Sequence, residues 1–184
     1  RAIWRRGIGR TFQVAQTFIS MTVGENIQVA LQSVRGTTWS MIERAHHAER
    51  DAAIALLGAV GMADDADRPV STLAYGDVKR VELAIALASE PKLLLMDEPT
   101  AGMAPREREA LMSLVRDLAR SRRVGVLFTE HDMDSVFGFA DRILVLVRGE
   151  IVAAGSPAEV RANKLVQQVY LGDLGAAIAA EAGH

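Results

Sequence analysis

Two adjacent carboxylates, Asp97 and Glu98, directly follow the apolar run Leu93–Met96. Such a run is typical of a strand that is covered on both faces. Charged groups at the end of a buried strand must be hydrated, paired or bound to metal, because an uncompensated buried charge is costly. One carboxylate can hold Mg²⁺ through waters while its neighbour polarises an attacking water. A solvated Asp-Glu turn is the alternative interpretation.

A histidine follows a second apolar run. Residues 124–129 predict another buried strand, and Glu130, His131 and Asp132 come directly after it. A lone histidine is more often structural than functional. However, neighbouring parallel strands end at one edge of their sheet, where ligands bind. We therefore expect His131 to lie near Asp97 and Glu98 and to share their function.

A glycine-bearing loop leads into a predicted helix at residues 76–89. Unpaired backbone N–H groups and the positive end of the helix dipole make such a place suitable for an anion. Many helices begin this way without a ligand, so the loop by itself is a weak indication. Its residues are Leu73, Ala74, Tyr75, Gly76 and Asp77.

The elements that must position these residues alternate regularly after residue 89. Strand, helix, strand, helix and strand in that order predict an α/β fold, a parallel sheet with right-handed crossovers. After the first strand, the predicted elements are a helix at 106–120 introduced by Pro105, a strand at 124–129, a helix at 133–140, a strand at 142–147, and a turn at Arg148-Gly149 into residues 150–153.

The part of the chain before residue 89 is mainly helical in pattern. Residues 23–57 predict helix, with a buried stripe at Ile42, Ala45, Ala52 and Leu56. A polar loop at 64–72 follows, and then the helix at 76–89. We therefore divide the chain into a remnant of an N-terminal core at 1–13, a helical subdomain at 14–88, an α/β core at 89–155 and a C-terminal helical tail at 156–184.

Composition limits the classes of function. A formal net charge of −2 gives no general attraction to nucleic acid or to anionic lipid. The absence of cysteine excludes disulfides and thiolate metal sites. The sequence has no run of about 20 apolar residues that could span a membrane. We therefore expect any work at a membrane to be done through other proteins.

In this order, the segments resemble the ATP-binding cassette family of P-loop NTPases, whose RecA-like core carries an inserted helical subdomain. The resemblance implies ATP and Mg²⁺ as cofactors. It makes Asp97 the Mg²⁺-linked aspartate, Glu98 the catalytic glutamate and His131 the switch histidine. Gln13 falls on the glutamine loop, which contacts nucleotide and metal, and Leu73 to Asp77 match the nucleotide-binding signature loop.

Within that family, the sequence is similar to the ATPase subunits of branched-chain amino acid importers. The similar motifs are Gly-Ile-Gly-Arg-Thr-Phe-Gln, Leu-Ala-Tyr-Gly, Asp-Glu-Pro-Thr-Ala-Gly-Met, Thr-Glu-His-Asp-Met and Val-Tyr-Leu-Gly. The resemblance implies a peripheral position on the cytoplasmic face of the bacterial inner membrane. It also implies a second ATP-binding subunit in a homo- or heterodimer, transmembrane permease subunits, and an indirect periplasmic substrate-binding protein. It implies no nucleic acid partner.

Several departures from the family pattern accompany the resemblance. The sequence contains no G-x-x-x-x-G-K-[ST] phosphate loop, which the family places upstream of Gln13. We therefore expect an N-terminally truncated subunit, without the N-terminal strands and the phosphate loop, that is inactive in isolation. Ala74 replaces a common serine and Asp77 a common glutamine, and Ala104 stands where relatives carry Asp or Asn.

Three alternatives remain open from the sequence. The first is a urea or amide importer ATPase, which shares many of the same sequence motifs. A cytosolic ATP-binding cassette protein that binds nucleic acid is disfavoured by the near-neutral charge and the lack of a basic stripe. The third alternative is an inert or merely interacting fragment.

Overall fold

The computed structural model describes residues 7–11, 17–35 and 43–168. The chain forms two compact units, Arg1–His131 and Asp132–His184. No helix in the described ranges is long and apolar enough to cross a membrane. The helices and strands are β1 (Ile8–Arg10), α1 (Val23–Arg35), α2 (Glu43–Ala59), α3 (Tyr75–Leu87), β2 (Leu93–Asp97), α4 (Pro105–Arg122), β3 (Gly125–Thr129), α5 (Met133–Phe139), β4 (Ile143–Val147), β5 (Glu150–Gly155) and α6 (Pro157–Ala162).

The first unit contains a parallel sheet in the order β1-β2-β3. Its register pairs Leu93 with Gly125 at one end and Asp97 with Thr129 at the other. Helix α4 joins β2 to β3 and is the crossover that a parallel pair requires. The predicted parallel arrangement of these two strands is confirmed, and their carboxyl ends meet at one edge.

The prediction that β3 is buried on both faces was wrong. Along β2, Leu94 and Met96 are buried, whereas the alternate residues of β3 are exposed and Leu127 keeps 55% of its surface accessible. Successive side chains of a strand point to opposite faces of the sheet. Val126 and Phe128 pack against the core of the first unit, whereas the face that carries Leu127 is not covered by the described residues.

The helical part of the first unit packs α1, α2 and α3 around a common apolar core. On α2 the buried apolar residues are Ala53 and Leu57, whereas Ala52 and Leu56 are only half-buried. The predicted stripe was therefore rotated by one residue, because α2 packs against both α1 and α3. The other two predicted stripe positions, Ile42 and the side chain of Ala45, lie outside the described residues.

Helix α3 begins and ends close to its predicted limits, and Asp77 lies in its first turn as expected. On α3, Val81 is fully buried. The sequence pattern did not mark Lys79 and Glu82, which are also buried. Their side chains form an ion pair with Lys79 Nζ 3.0 Å from Glu82 Oε2, so the charges are paired as burial requires.

The second unit is built on an antiparallel pair of strands, β4 and β5. The predicted third strand, at residues 142–147, therefore does not join the parallel sheet. The turn explains this difference, because Arg148 and Gly149 both adopt positive φ (51° and 87°), as in the two-residue turns that join antiparallel strands. The core of this unit consists of Ile143, Val145, Val160 and Val166. The predicted tail is helical at Pro157–Ala162 and 164–168.

Candidate functional site at the ends of two strands

Glu98 stands at a sharp change of backbone direction. Its φ is +44°, in the left-handed region that residues other than glycine rarely adopt and that is common at functional sites. The backbone N–H of Glu98 donates to the carbonyl of Thr129 at 3.0 Å and is 3.2 Å from its hydroxyl oxygen. The last residue of β3 therefore fixes the backbone that carries the Glu98 carboxylate.

Asp97 is the last residue of β2, and its side chain is half exposed. The hydroxyl of Thr129 donates to Asp97 Oδ1 at 2.7 Å, and a guanidinium nitrogen of Arg10 lies 4.0 Å from Oδ2. The exposed carboxylate oxygen is the type of donor that Mg²⁺ prefers, with water and phosphate oxygens completing its shell. Asp97 therefore fits a water-rich Mg²⁺ site. The described residues contain no cluster of three or more metal-ligating side chains.

His131 lies opposite Glu98. Its Nδ1 is 3.7 Å from Glu98 Oε1, and the imidazole is 75% exposed while the Glu98 side chain is 34% exposed. A carboxylate and an imidazole that face the same open space can act together on one bound group. The structure thus brings together Asp97, Glu98 and His131, as the parallel strand ends predicted.

The signature loop forms the entry to α3. Ala74 is the residue before the helix and supplies no side-chain cap. In the first turn of α3, the N–H of Asp77 donates to the Ala74 carbonyl, so the N–H groups of Tyr75 and Gly76 are the ones suited to an outside acceptor. A Cβ built on Gly76 would lie 3.5 Å from Met103 and 3.9 Å from Glu107. The loop thus adjoins the start of α4 and does not belong to the Asp97–Glu98–His131 cluster. Tyr75 is exposed and Leu73 is half-buried.

Sequence reasoning missed the residues that support this site. Arg10 and Thr129 hold Asp97, and Thr100 is hydrogen-bonded to Glu130. Thr129 and Glu130 could have been identified from the sequence, because they lie at the end of the second apolar run, beside His131. Gln13, predicted to contact nucleotide and metal, lies outside the described residues.

The fold and the strand-end carboxylates define an ATP-binding cassette, and the chain belongs to the ABC transporter family. The model of that family, described as ABC transporter, matches residues 1–101. A second model, described as branched-chain amino acid ATP-binding cassette transporter, matches residues 150–175.

Individual relatives agree with this assignment. The high-affinity branched-chain amino acid transport ATP-binding protein LivG of Salmonella typhimurium is 38% identical over 93% of this chain and 70% of its own length. The lipopolysaccharide export system ATP-binding protein LptB of Acidithiobacillus ferridurans is 35% identical over 92% of this chain and 66% of its own length. The ADP conformation of MJ1267, an ATP-binding cassette of an ABC transporter, superposes with a TM-score of 0.77 at 30% identity, covering 93% and 70% of the two chains. The P-loop NTPase fold predicted from the sequence is confirmed.

Proposed function

We propose that this chain is the ATP-binding and ATP-hydrolysing subunit that energises an ABC importer of branched-chain amino acids. The observation that carries the proposal is the meeting of Asp97, Glu98 and His131 at the carboxyl ends of β2 and β3, with His131 Nδ1 3.7 Å from Glu98 Oε1. This is the edge at which parallel α/β sheets bind their ligands.

The chemistry assigned to these side chains is hydrolysis of the bond between the β- and γ-phosphates of ATP. Glu98 accepts a hydrogen bond from the attacking water and orients its oxygen towards the γ-phosphorus, while His131 contacts the γ-phosphate oxygens. Asp97 would hold Mg²⁺ through water, and the ion would neutralise phosphate charge. Most of the catalysis is thus positioning and electrostatic stabilisation.

The signature loop is assigned to a second nucleotide. The exposed entry to α3, with backbone N–H groups around Gly76, suits the phosphates of an ATP molecule bound to a second ATP-binding subunit, in a homo- or heterodimer. Gln13 would sense nucleotide and metal where a permease subunit docks, on the cytoplasmic face of the inner membrane. In this proposal, residues 1–13 and 89–155 form the core, 14–88 the helical subdomain and 156–184 the tail.

The choice of cargo has its own support. LptB, named for lipopolysaccharide export, is nearly as similar to this chain as LivG, so identity over the whole chain does not distinguish cargoes. The match of residues 150–175 to the branched-chain amino acid model does favour one cargo. LivG, whose name states branched-chain amino acid transport, agrees with it.

The cargo is tested in liposomes that contain the ATP-binding subunit with its permease partners and the substrate-binding protein. We expect ATP hydrolysis to rise when the binding protein is loaded with leucine, isoleucine or valine. Urea and ribose are the matched negative cargoes, and the Glu98→Gln variant gives the background. Stimulation by urea and not by leucine would replace the proposed cargo.

The isolated 184-residue chain is proposed to bind Mg·ATP weakly and to be inactive. Its sequence holds no G-x-x-x-x-G-K-[ST] motif, whose backbone and lysine contact the β- and γ-phosphates. The described side chains at the strand ends would reach ATP mainly through metal and water. Calorimetric titration tests this, and micromolar affinity of the isolated chain would contradict it.

A further inference from the structure

One contact links the two loops of the candidate site beyond the end of the sheet. Thr100 is 2% exposed and lies in the loop that follows Glu98. Its backbone N–H donates to Glu130 Oε1 at 2.9 Å, and its hydroxyl donates to the same oxygen at 2.5 Å. Glu130 directly precedes His131. A single carboxylate oxygen of the loop after β3 therefore accepts two hydrogen bonds from the loop after β2.

The contact between Thr100 and Glu130 lies beyond the last hydrogen-bonded pair of β2 and β3. The ladder ends at the pair Asp97–Thr129, and Glu98 already has the left-handed φ of +44°. A residue in that conformation keeps it only where its surroundings impose it. On the β3 side, Thr129 binds the N–H of Glu98. Past Glu98, the described hydrogen bonds that tie the two loops together are those of Thr100 to Glu130.

The chemistry of the contact suits a rigid link. Hydrogen bonds to an ionised acceptor are shorter and stronger than those between neutral groups, and 2.5 Å is at the short end of their range. The buried hydroxyl of Thr100 needs a partner, so loss of Glu130 would leave a buried donor unsatisfied. Since Glu98 and His131 lie 3.7 Å apart, a small shift of either loop would change their separation.

We propose that Glu130 is a positioning residue for ATP hydrolysis. By accepting both hydrogen bonds of Thr100, it fixes the loop that carries His131 against the loop that carries Glu98. Glu130 acts through the side chains of Glu98 and His131 and does not itself contact the nucleotide. The proposal rests on the proposed function, because it takes hydrolysis at Glu98 as the reaction that is positioned.

The first test measures the contact without any activity. In the 184-residue chain, hydrogen exchange of the Thr100 amide is measured for wild type, Glu130→Ala and Glu130→Gln. We expect exchange to be about tenfold faster or more in Glu130→Ala, because a charge-assisted bond is lost. We expect an intermediate rate in Glu130→Gln, which keeps one carbonyl acceptor. The matched control is Glu109→Ala on the exposed face of α4, and an unchanged rate in Glu130→Ala would overturn the proposal.

The second test measures kcat and KM for ATP in the assembled transporter. We expect kcat of Glu130→Ala to fall at least tenfold with KM for ATP nearly unchanged, since misplacement of reacting groups by about 1 Å costs about 10²-fold. Glu130→Gln should recover part of the loss, and Thr100→Val should add little to Glu130→Ala because both remove one link. If Glu130→Ala does not fold, Glu130→Gln and Thr100→Val give the same comparison.

The outcomes separate this proposal from the proposed function. Wild-type turnover in Glu98→Gln would contradict the assigned reaction itself. Loss of turnover in Glu98→Gln, together with wild-type kcat in Glu130→Ala, Glu130→Gln and Thr100→Val, would contradict only the positioning role. A lower kcat in Glu130→Ala without any recovery in Glu130→Gln would also contradict the positioning role. That result would indicate a loop that is merely destabilised, because such a loop gives no graded recovery when one acceptor is kept.

Discussion

The carboxylate of Glu98 and the imidazole of His131 lie opposite each other at two neighbouring strand ends, with 3.7 Å between Glu98 Oε1 and His131 Nδ1. Both side chains reach the same open space, and the imidazole is the more exposed of the two. In the proposed function, Glu98 therefore contacts the attacking water while His131 contacts the phosphate that the water attacks.

Replacement of His131 by Ala should reduce ATP turnover by about 10- to 100-fold, the range expected when a hydrogen bond to a charged group is lost. His131→Asn should recover part of the rate, because its amide can still donate to phosphate although it cannot accept a proton. Steady-state hydrolysis across pH checks this. An Asn variant as inactive as the Ala variant, with a changed pH profile, would indicate that His131 is instead the general base.

Gly76 offers a test of the signature loop. A Cβ at this position meets Met103 at an ordinary contact distance of 3.5 Å, so Gly76→Ala should change the free energy of unfolding by no more than about 1 kcal/mol. It should nevertheless lower hydrolysis at least tenfold, because the side chain would stand where a phosphate approaches the backbone. Gly58→Ala is the matched control, since no atom lies within 4 Å of a Cβ at Gly58 in α2. Equal activity of the two variants would remove the assigned role of the loop.

Ala104 leaves the start of α4 only partly capped. Its N–H donates to Glu107 Oε2 at 3.2 Å, but alanine has no side-chain acceptor for the N–H groups of the first turn. Ala104→Asp should raise stability by roughly 0.5–2 kcal/mol, which is about 2–4 °C in Tm per kcal/mol for a chain of this size. Ala110→Asp, on an exposed site inside α4, is the control and should lower Tm. Calorimetry that finds no gain for Ala104→Asp would contradict the capping argument.

Much of this site could be predicted from local sequence, for an identifiable physical reason. Apolar runs that end in Asp97 and in Thr129 indicate strands, and parallel pairing places their ends at one edge. The left-handed φ of Glu98 and the contact of Thr100 with Glu130 could not be predicted in this way. They depend on how two loops from distant parts of the chain meet, and no local pattern records that.

The errors in the fold have the same origin. Apolar composition predicted β3 as buried, but burial depends on what covers each face of the sheet, and Leu127 on the uncovered face is exposed. The alternating order of strands and helices predicted the strand β4 correctly, but it did not predict the antiparallel pairing of β4 with β5. The positive φ values of Arg148 and Gly149 decide that pairing, and only the glycine signalled it in the sequence.

Glu159 should make stability depend on pH in acid. Hydrogen bonds from the backbone N–H and the hydroxyl of Ser156, with a smaller contribution from the charge of Arg142, lower the pKa of Glu159 below its ordinary value of 4.5. A lowered pKa in the folded state stabilises the fold above pH 4.5, and this contribution is lost as pH falls through the folded-state pKa. Urea unfolding at pH 3 to 6 should show a shallower pH dependence in Glu159→Gln than in wild type, and Glu109→Gln should leave the slope unchanged. Equal slopes for wild type and Glu159→Gln would contradict this.

The most direct test of the proposed site is ATP turnover of the Glu98→Gln variant in the complete, assembled transporter, measured together with ATP binding. The amide keeps the shape and reach of the side chain but removes the carboxylate that orients water. We predict that ATP still binds, that the two ATP-binding subunits remain closed, and that turnover falls by about 10²-fold or more, while Glu109→Gln behaves as wild type. Hydrolysis by Glu98→Gln within a few-fold of wild type would contradict the assignment of Glu98 as the catalytic carboxylate.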